Sequence, residues 1–183
     1  MTGLYQFIVE KASIKNVIIG LILIVMFNTF FLPFLPSVLW GFHLPIDKIL
    51  DLRFSYNAND IFSLFDEFGA KGRNSYKLSA LSIDSPYAII YSITYAIIIY
   101  LLLKSNDLLK YKMLILLPFL IGMFDIFENV SIALMSHYYP IKMMSLANAT
   151  PYFTLFKWLF SALVFITVMV NILMYSFNKI KAN

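Results

Sequence analysis

The chain has 183 residues, 61% of them hydrophobic and only 13% charged, whereas an ordinary soluble domain carries roughly a quarter charged residues. This balance excludes a water-soluble globule, and four stretches of membrane-spanning length leave no room for a large extramembrane enzyme domain. With no cysteine and two histidines, His43 and His137, the chain has no disulfide, thiolate, iron–sulfur or Cys-ligated zinc chemistry and too few histidines for a bis-His haem. Its net charge of +4 is an orientation signal in a membrane protein and gives no support to nucleic-acid binding.

In chain order, the first span covers about 17–40. Lys11 and Lys15 precede it as in a signal peptide, but the run exceeds an h-region of roughly 7–15 residues and lacks a small-x-small cleavage site. It reads as a retained anchor. The segment 41–85 follows. Within it, Asn57 to Phe68 predicts a short amphipathic helix: Asn57 or Asn59 caps it, Asp60 suits the positive end, and Ile61, Phe62, Leu64, Phe65 and Phe68 form the apolar face. Gly69 offers the stop. From Asn74 the helical pattern resumes through the second span, 86–103, with a kink expected at Pro86. The third and fourth spans cover about 113–136 and 152–177.

The expected architecture is therefore all-α: one polytopic membrane domain over 1–183, a four-helix bundle with a short outer amphipathic helix. Lys11, Lys15, Lys104, Lys110, Lys112, Lys179 and Lys181 fall on one side, against Lys142 alone between spans three and four. By the positive-inside rule both termini are cytoplasmic and segment 41–85 lies outside. Trp40, Tyr138, Tyr139, Tyr152 and Trp158 then occupy the outer interface, where amphipathic rings prefer to sit.

The chemistry concentrates in span three, where Asp125, Glu128 and Asn129 stand at i, i+3 and i+4 on one helix face. A carboxylate near mid-membrane costs roughly 2.5–3.5 kcal/mol on insertion scales, so two of them require partners, water or a raised pKa. Span four offers a stripe of Thr154, Lys157, Ser161, Val164, Val168, Asn171 and Tyr175. At about 1.5 Å per residue, Glu128 lies about 12 Å and Lys157 about 8 Å from the outer helix ends, within a lysine's reach. Two readings are open for Lys157: a pair with Glu128, or a stem that snorkels to the interface. A third stripe runs through Arg73, Tyr76, Ala80, Asp84, Tyr87, Tyr91 and Tyr95 towards Asp125, the alternative being that these tyrosines are anchors and packing groups.

The remaining motifs are weaker. Gly69-Ala70-Lys71-Gly72 lacks a Walker or dinucleotide pattern and reads as a turn, and Asn148-Ala149-Thr150 is a sequon followed by Pro151. No serine has a His and acid constellation. Asp125, Glu128 and Asp84 alone fall short of a two-metal carboxylate site, so no metal and no cofactor are expected.

The stretches Asp51-Leu-Arg-Phe-Ser-Tyr56, Gly72-Arg73-Asn-Ser-Tyr76, Asp84 with Pro86-Tyr87, and Asp125-Ile-Phe-Glu128-Asn129 resemble small uncharacterised bacterial four-span membrane proteins with GR-x-x-Y and D-x-x-E-N elements. The resemblance covers 51 to about 160. It implies a bacterial cytoplasmic membrane and treats those positions as one set, without implying a reaction.

Three functions are consistent with these residues. The first is a site in the outer half of the bundle that binds, and could act on, a lipid or other amphipathic small molecule, with Asp125 and Glu128 as acid and base and Arg73, Tyr76, Asp84, Tyr87, Tyr91, Asn129 and Lys157 around its polar head. The second is an accessory or assembly protein whose buried charges specify helix packing. The third is a proton or ion pathway, for which the inner half supplies little beyond Asn171 and Tyr175.

Overall fold

The computed structural model describes residues 2–53 and 55–182; Phe54 of the DLRFSY stretch lies outside them. Among the described residues all regular structure is helical: α1 (Thr2–Lys11), α2 (Ile14–Met26), α3 (Leu32–Trp40), α4 (Ala58–Ser79), α5 (Ser85–Ser105), α6 (Leu117–Tyr138) and α7 (Met144–Ala182). Four helical runs, Ile14–Trp40, Ala58–Ser105, Leu109–Tyr138 and Met144–Ile180, are long and apolar enough to cross a membrane.

Two π-helical turns interrupt these runs, Phe27–Phe31 between α2 and α3 and Ala80–Asp84 between α4 and α5. Each stands just before a proline, Pro33 or Pro86, whose ring removes one ladder bond and crowds the preceding turn, so the helix widens there instead of ending. The expected kink at Pro86 takes this form. The third span opens as a 3-10 stretch, Leu109–Leu116, before α6 begins with Pro118 in its first turn. The fourth begins at Met144 and runs through Pro151, earlier than the expected 152.

α6 packs against both α5 and α7, α5 also touches α7, and α2 packs against α5. Small residues permit these approaches: a Cβ on Gly122 would strike the Ser92 hydroxyl and come 3.0 Å from the Ala88 carbonyl, and one on Gly20 would strike Thr94. Such small-residue contacts let backbones close where no hydrophobic effect drives membrane helices together.

At one end of the bundle α4 forms a lid. A capping box opens it: the Asn57 side-chain carbonyl accepts from the Asn59 and Asp60 backbone N–H groups, while Asn57 N–H donates to Asp60 Oδ2 at 2.7 Å. At Gly69 the chain turns through φ 59°, ψ −175°, a conformation open to glycine, so α4 is two short helices bent at the expected stop. Ile61, Phe62, Leu64, Phe65 and Phe68 are buried with Ile132, Met135 and Ala147 of α6 and α7, which is the amphipathic face read from the sequence.

Sequence reading assigned no element ahead of the first span, yet α1 forms at the opposite end. Ile8 is fully buried there, and Tyr5 meets Tyr100 of α5 edge-on at 6.2 Å. A second apolar cluster, including Ile8, Ile97, Ile99, Leu103, Ile115, Ile121 and Val164, fills the bundle from this end. The polar residues of α6 lie between Ile121 of this cluster and Ile132 of the lid cluster.

Candidate functional site

The centre of the site is Lys157, 7% exposed. Its position on α7 turns it inward, one helical turn from the buried Thr154 and two from Thr150, so the snorkelling alternative does not describe it. Its Nζ donates to Glu128 Oε2 at 2.9 Å and Asp125 Oδ1 at 3.1 Å, and lies 3.6 Å from Asp51 Oδ2. Glu128 is fully buried, and its second oxygen accepts from Thr154 Oγ1 at 2.6 Å and Tyr56 OH at 2.9 Å. The second oxygen of Asp125 accepts from Tyr91 OH at 2.8 Å. Glu128 and Asp125 are thus each bonded at both oxygens, as a buried carboxylate requires.

Asp51 and Tyr56 come from the loop between α3 and α4, and sequence reading placed neither in the site. The loop folds inward because Leu44 and Leu50 are buried in the lid cluster. Tyr76 OH accepts from Leu50 N–H at 3.2 Å, and Lys48 pairs with Glu67 of α4. With Leu50 seated under the lid, Asp51 reaches the acids below. Tyr56 directly precedes the Asn57 cap, so the turn that starts α4 also aims this phenol at Glu128. Burial, reinforced by the Glu128 charge, raises the Tyr56 phenol well above its ordinary range, which keeps it a donor. Burial also raises the Asp51 carboxyl, opposed by Lys157 and reinforced by Asp125.

Asp84 ends the second π turn and is nine-tenths buried. Its carboxylate forms no hydrogen bond or ion pair among the described residues; the Asn129 amide approaches it without completing a bond. Oδ1 of Asp51 is likewise buried without a hydrogen-bond partner. Oxygens of Asp51, Asp84 and Asp125 lie within 4.8 Å of one another.

Two spaces meet at these acids. A cavity of about 160 Å³ under the lid is lined by Asp51, Tyr76, Ser79, Asp84, Glu128 and Asn129 among others. A groove of about 390 Å³ runs between the first helical run and α7, over α5. Asp51, Asp84, Asp125 and Lys157 form its polar end, and Ile121, Val164, Phe165 and Val168 its apolar length. Phe165 is exposed, so the groove is open along its side. Tyr87, Tyr91 and Tyr95 all line it, so the tyrosine stripe continues past the π turn in register. Tyr87 OH accepts from Asn28 of the first π turn at 2.6 Å.

The structure therefore brings together Asp84, Tyr87, Tyr91, Asp125, Glu128, Asn129 and Lys157, with Tyr76 bordering the smaller cavity. Arg73 stands apart: its guanidinium donates to the Phe65 carbonyl at 2.8 Å and lies 4.6 Å over the Tyr139 ring. Its guanidinium reaches back across the bend at Gly69 and so bridges the two halves of α4. No protein-family model, curated protein or solved structure matches the chain.

Proposed function

We propose that the protein binds a lipid or other amphipathic small molecule in the groove between the first helical run and α7, with the polar head at Asp51, Asp84, Asp125 and Lys157. One observation carries this reading: a space of about 390 Å³, within the roughly 300–1,000 Å³ of ligand pockets, joins a cluster of buried charges to an apolar trough. Lys157 and Asp125 border the groove and are positioned to exchange a proton with a bound head. Glu128 lies behind them and holds Lys157 in place. In a membrane the open side beside Phe165 faces acyl chains, so an amphiphile enters without crossing water.

Asp125→Asn tests the reading, because the amide preserves the shape and removes the charge. The variant is expected to express and unfold like the parent, but to lose a lipid or small molecule that native mass spectrometry detects on the parent. A parent free of any specific ligand would support instead an accessory protein whose charges set helix packing.

The same reading places the lid outside and both termini in the cytoplasm of a bacterial membrane. It is supported by α1 and by Lys104, Lys110 and Lys112 of the α5–α6 link, which share the end opposite the lid; Lys112 lies 5.5 Å from the Tyr5 ring of α1. Single cysteines at the exposed positions Ser63 and Ser145 should react with an impermeant thiol reagent applied outside, and one at Ser105 should not. Labelling at Ser105 in intact cells would reverse the orientation. Asn183, the other inner position sequence reading offers, lies outside the described residues.

A further inference from the structure

The acids at the site divide into two kinds. Glu128 and Asp125 are bonded at both oxygens by Lys157, Tyr56, Thr154 and Tyr91. Asp84 is nearly as deeply buried but is bonded at neither oxygen, with only the Asn129 amide approaching it, and Asp51 keeps one buried oxygen unpaired. A buried carboxylate left this way loses its hydration without replacement, at a cost well above that of an unpaired neutral group.

We infer that Asp51, Asp84 and Asp125 bind a divalent metal ion of the hard, oxygen-preferring class: Mg²⁺, Mn²⁺ or Ca²⁺. Their oxygens lie within 4.8 Å of one another, and oxygens around one such ion, at roughly 2.0–2.6 Å from it, are separated by no more than about 5 Å. The donors are all oxygen, without the nitrogen or sulfur that selects zinc or copper. Charge agrees with this assignment. Three carboxylates, Asp51, Asp125 and Glu128, share the single ammonium of Lys157, Asp84 adds a fourth beside them, and a divalent ion offsets most of the excess.

The three ligands come from the loop before α4, the π turn and α6. Only the folded chain assembles them. A π turn is a frequent device at functional sites because its extra residue reorients one side chain without ending the helix, and here it delivers Asp84. The inference does not depend on the proposed amphiphile, although the ion would stand at the polar end of the same groove.

Purified full-length protein in a non-ionic detergent, treated with EDTA and dialysed, is titrated with Mn²⁺ while free Mn²⁺ is read by electron paramagnetic resonance. The expected result is one Mn²⁺ bound per chain, displaced by excess Mg²⁺ or Ca²⁺, with the melting temperature rising as the site fills. Asp84→Asn is expected to weaken binding at least tenfold while the helical circular dichroism is retained. Asp51→Asn, in the loop, provides the same measurement should Asp84→Asn not fold. Absence of bound Mn²⁺ on the folded parent, or binding unchanged in both variants, overturns the inference. So does a site that takes dodecylammonium and no Mn²⁺, which would make it one for organic cations. Because the titration uses no lipid, a parent that carries no amphiphile leaves its outcome intact.

Discussion

Replacing Lys157 with Met is expected to destabilise the protein by about 3–5 kcal/mol, the range for removing one member of a buried ion pair. The methionine fills the space of the lysine stem, so lost packing contributes little. What remains is Glu128 and Asp125 without their shared donor and Asp51 without its nearby charge. Glu128→Gln should cost less, because the amide oxygen still accepts from Tyr56 and Thr154. The double variant should lose less than the two single losses added together, since a neutral glutamine is not left as an unpaired charge when the ammonium is gone. Reversible unfolding in mixed micelles checks all three. Additive losses would show that Lys157 and Glu128 do not act as a pair, despite the 2.9 Å between them.

Phe65→Asp should be equally damaging for a different reason. Phe65 is fully buried in the lid, with Tyr139 edge-on at 5.8 Å and Phe62 beside it at 6.4 Å. Losing such a ring costs about 3–5 kcal/mol even to alanine, and the aspartate adds an unpaired charge in an apolar cluster. Ser63→Asp, on the exposed side of the same helix, is the control and should stay within about 0.5 kcal/mol of the parent. Equal melting temperatures for the two variants would mean that the lid contributes nothing to the fold.

The four long apolar helices were legible because a spanning run is the strongest signal a sequence carries. Their ends were less so. The fourth span read as starting at Tyr152, yet α7 starts about two turns before it, because the buried Ala147 and Thr150 extend the helical stripe on the N-terminal side. The bend at Gly69 was legible in a single residue, whereas α1 was hidden because only Tyr5 and Ile8 of it reach the core cluster, with Ala12 just beyond its end. Within the site, helical spacing correctly grouped Asp125, Glu128, Asn129 and Lys157, and the tyrosines after Pro86. It could not find Asp51 or Tyr56. Both stand in a loop with no period to set their direction, and the DLRFSY likeness was the one mark on them. Arg73 shows the converse error: it heads the stripe that continues through Tyr76 and Asp84, but its guanidinium turns back across the bend to the Phe65 carbonyl and the Tyr139 ring.

Lys157 is held by acids from α6, and α6 joins α7 through the short link 139–143. In hydrocarbon, α6 alone would carry two acids at mid-depth and α7 alone one lysine, each at roughly 2.5–3.5 kcal/mol per charge. Folded together as a hairpin, the same segments present two carboxylates and an ammonium already bonded to one another. Within a membrane the pair would therefore insert more readily than either helix alone, and a chain cut at Lys142 would strand α6 with charges that its own sequence cannot neutralise.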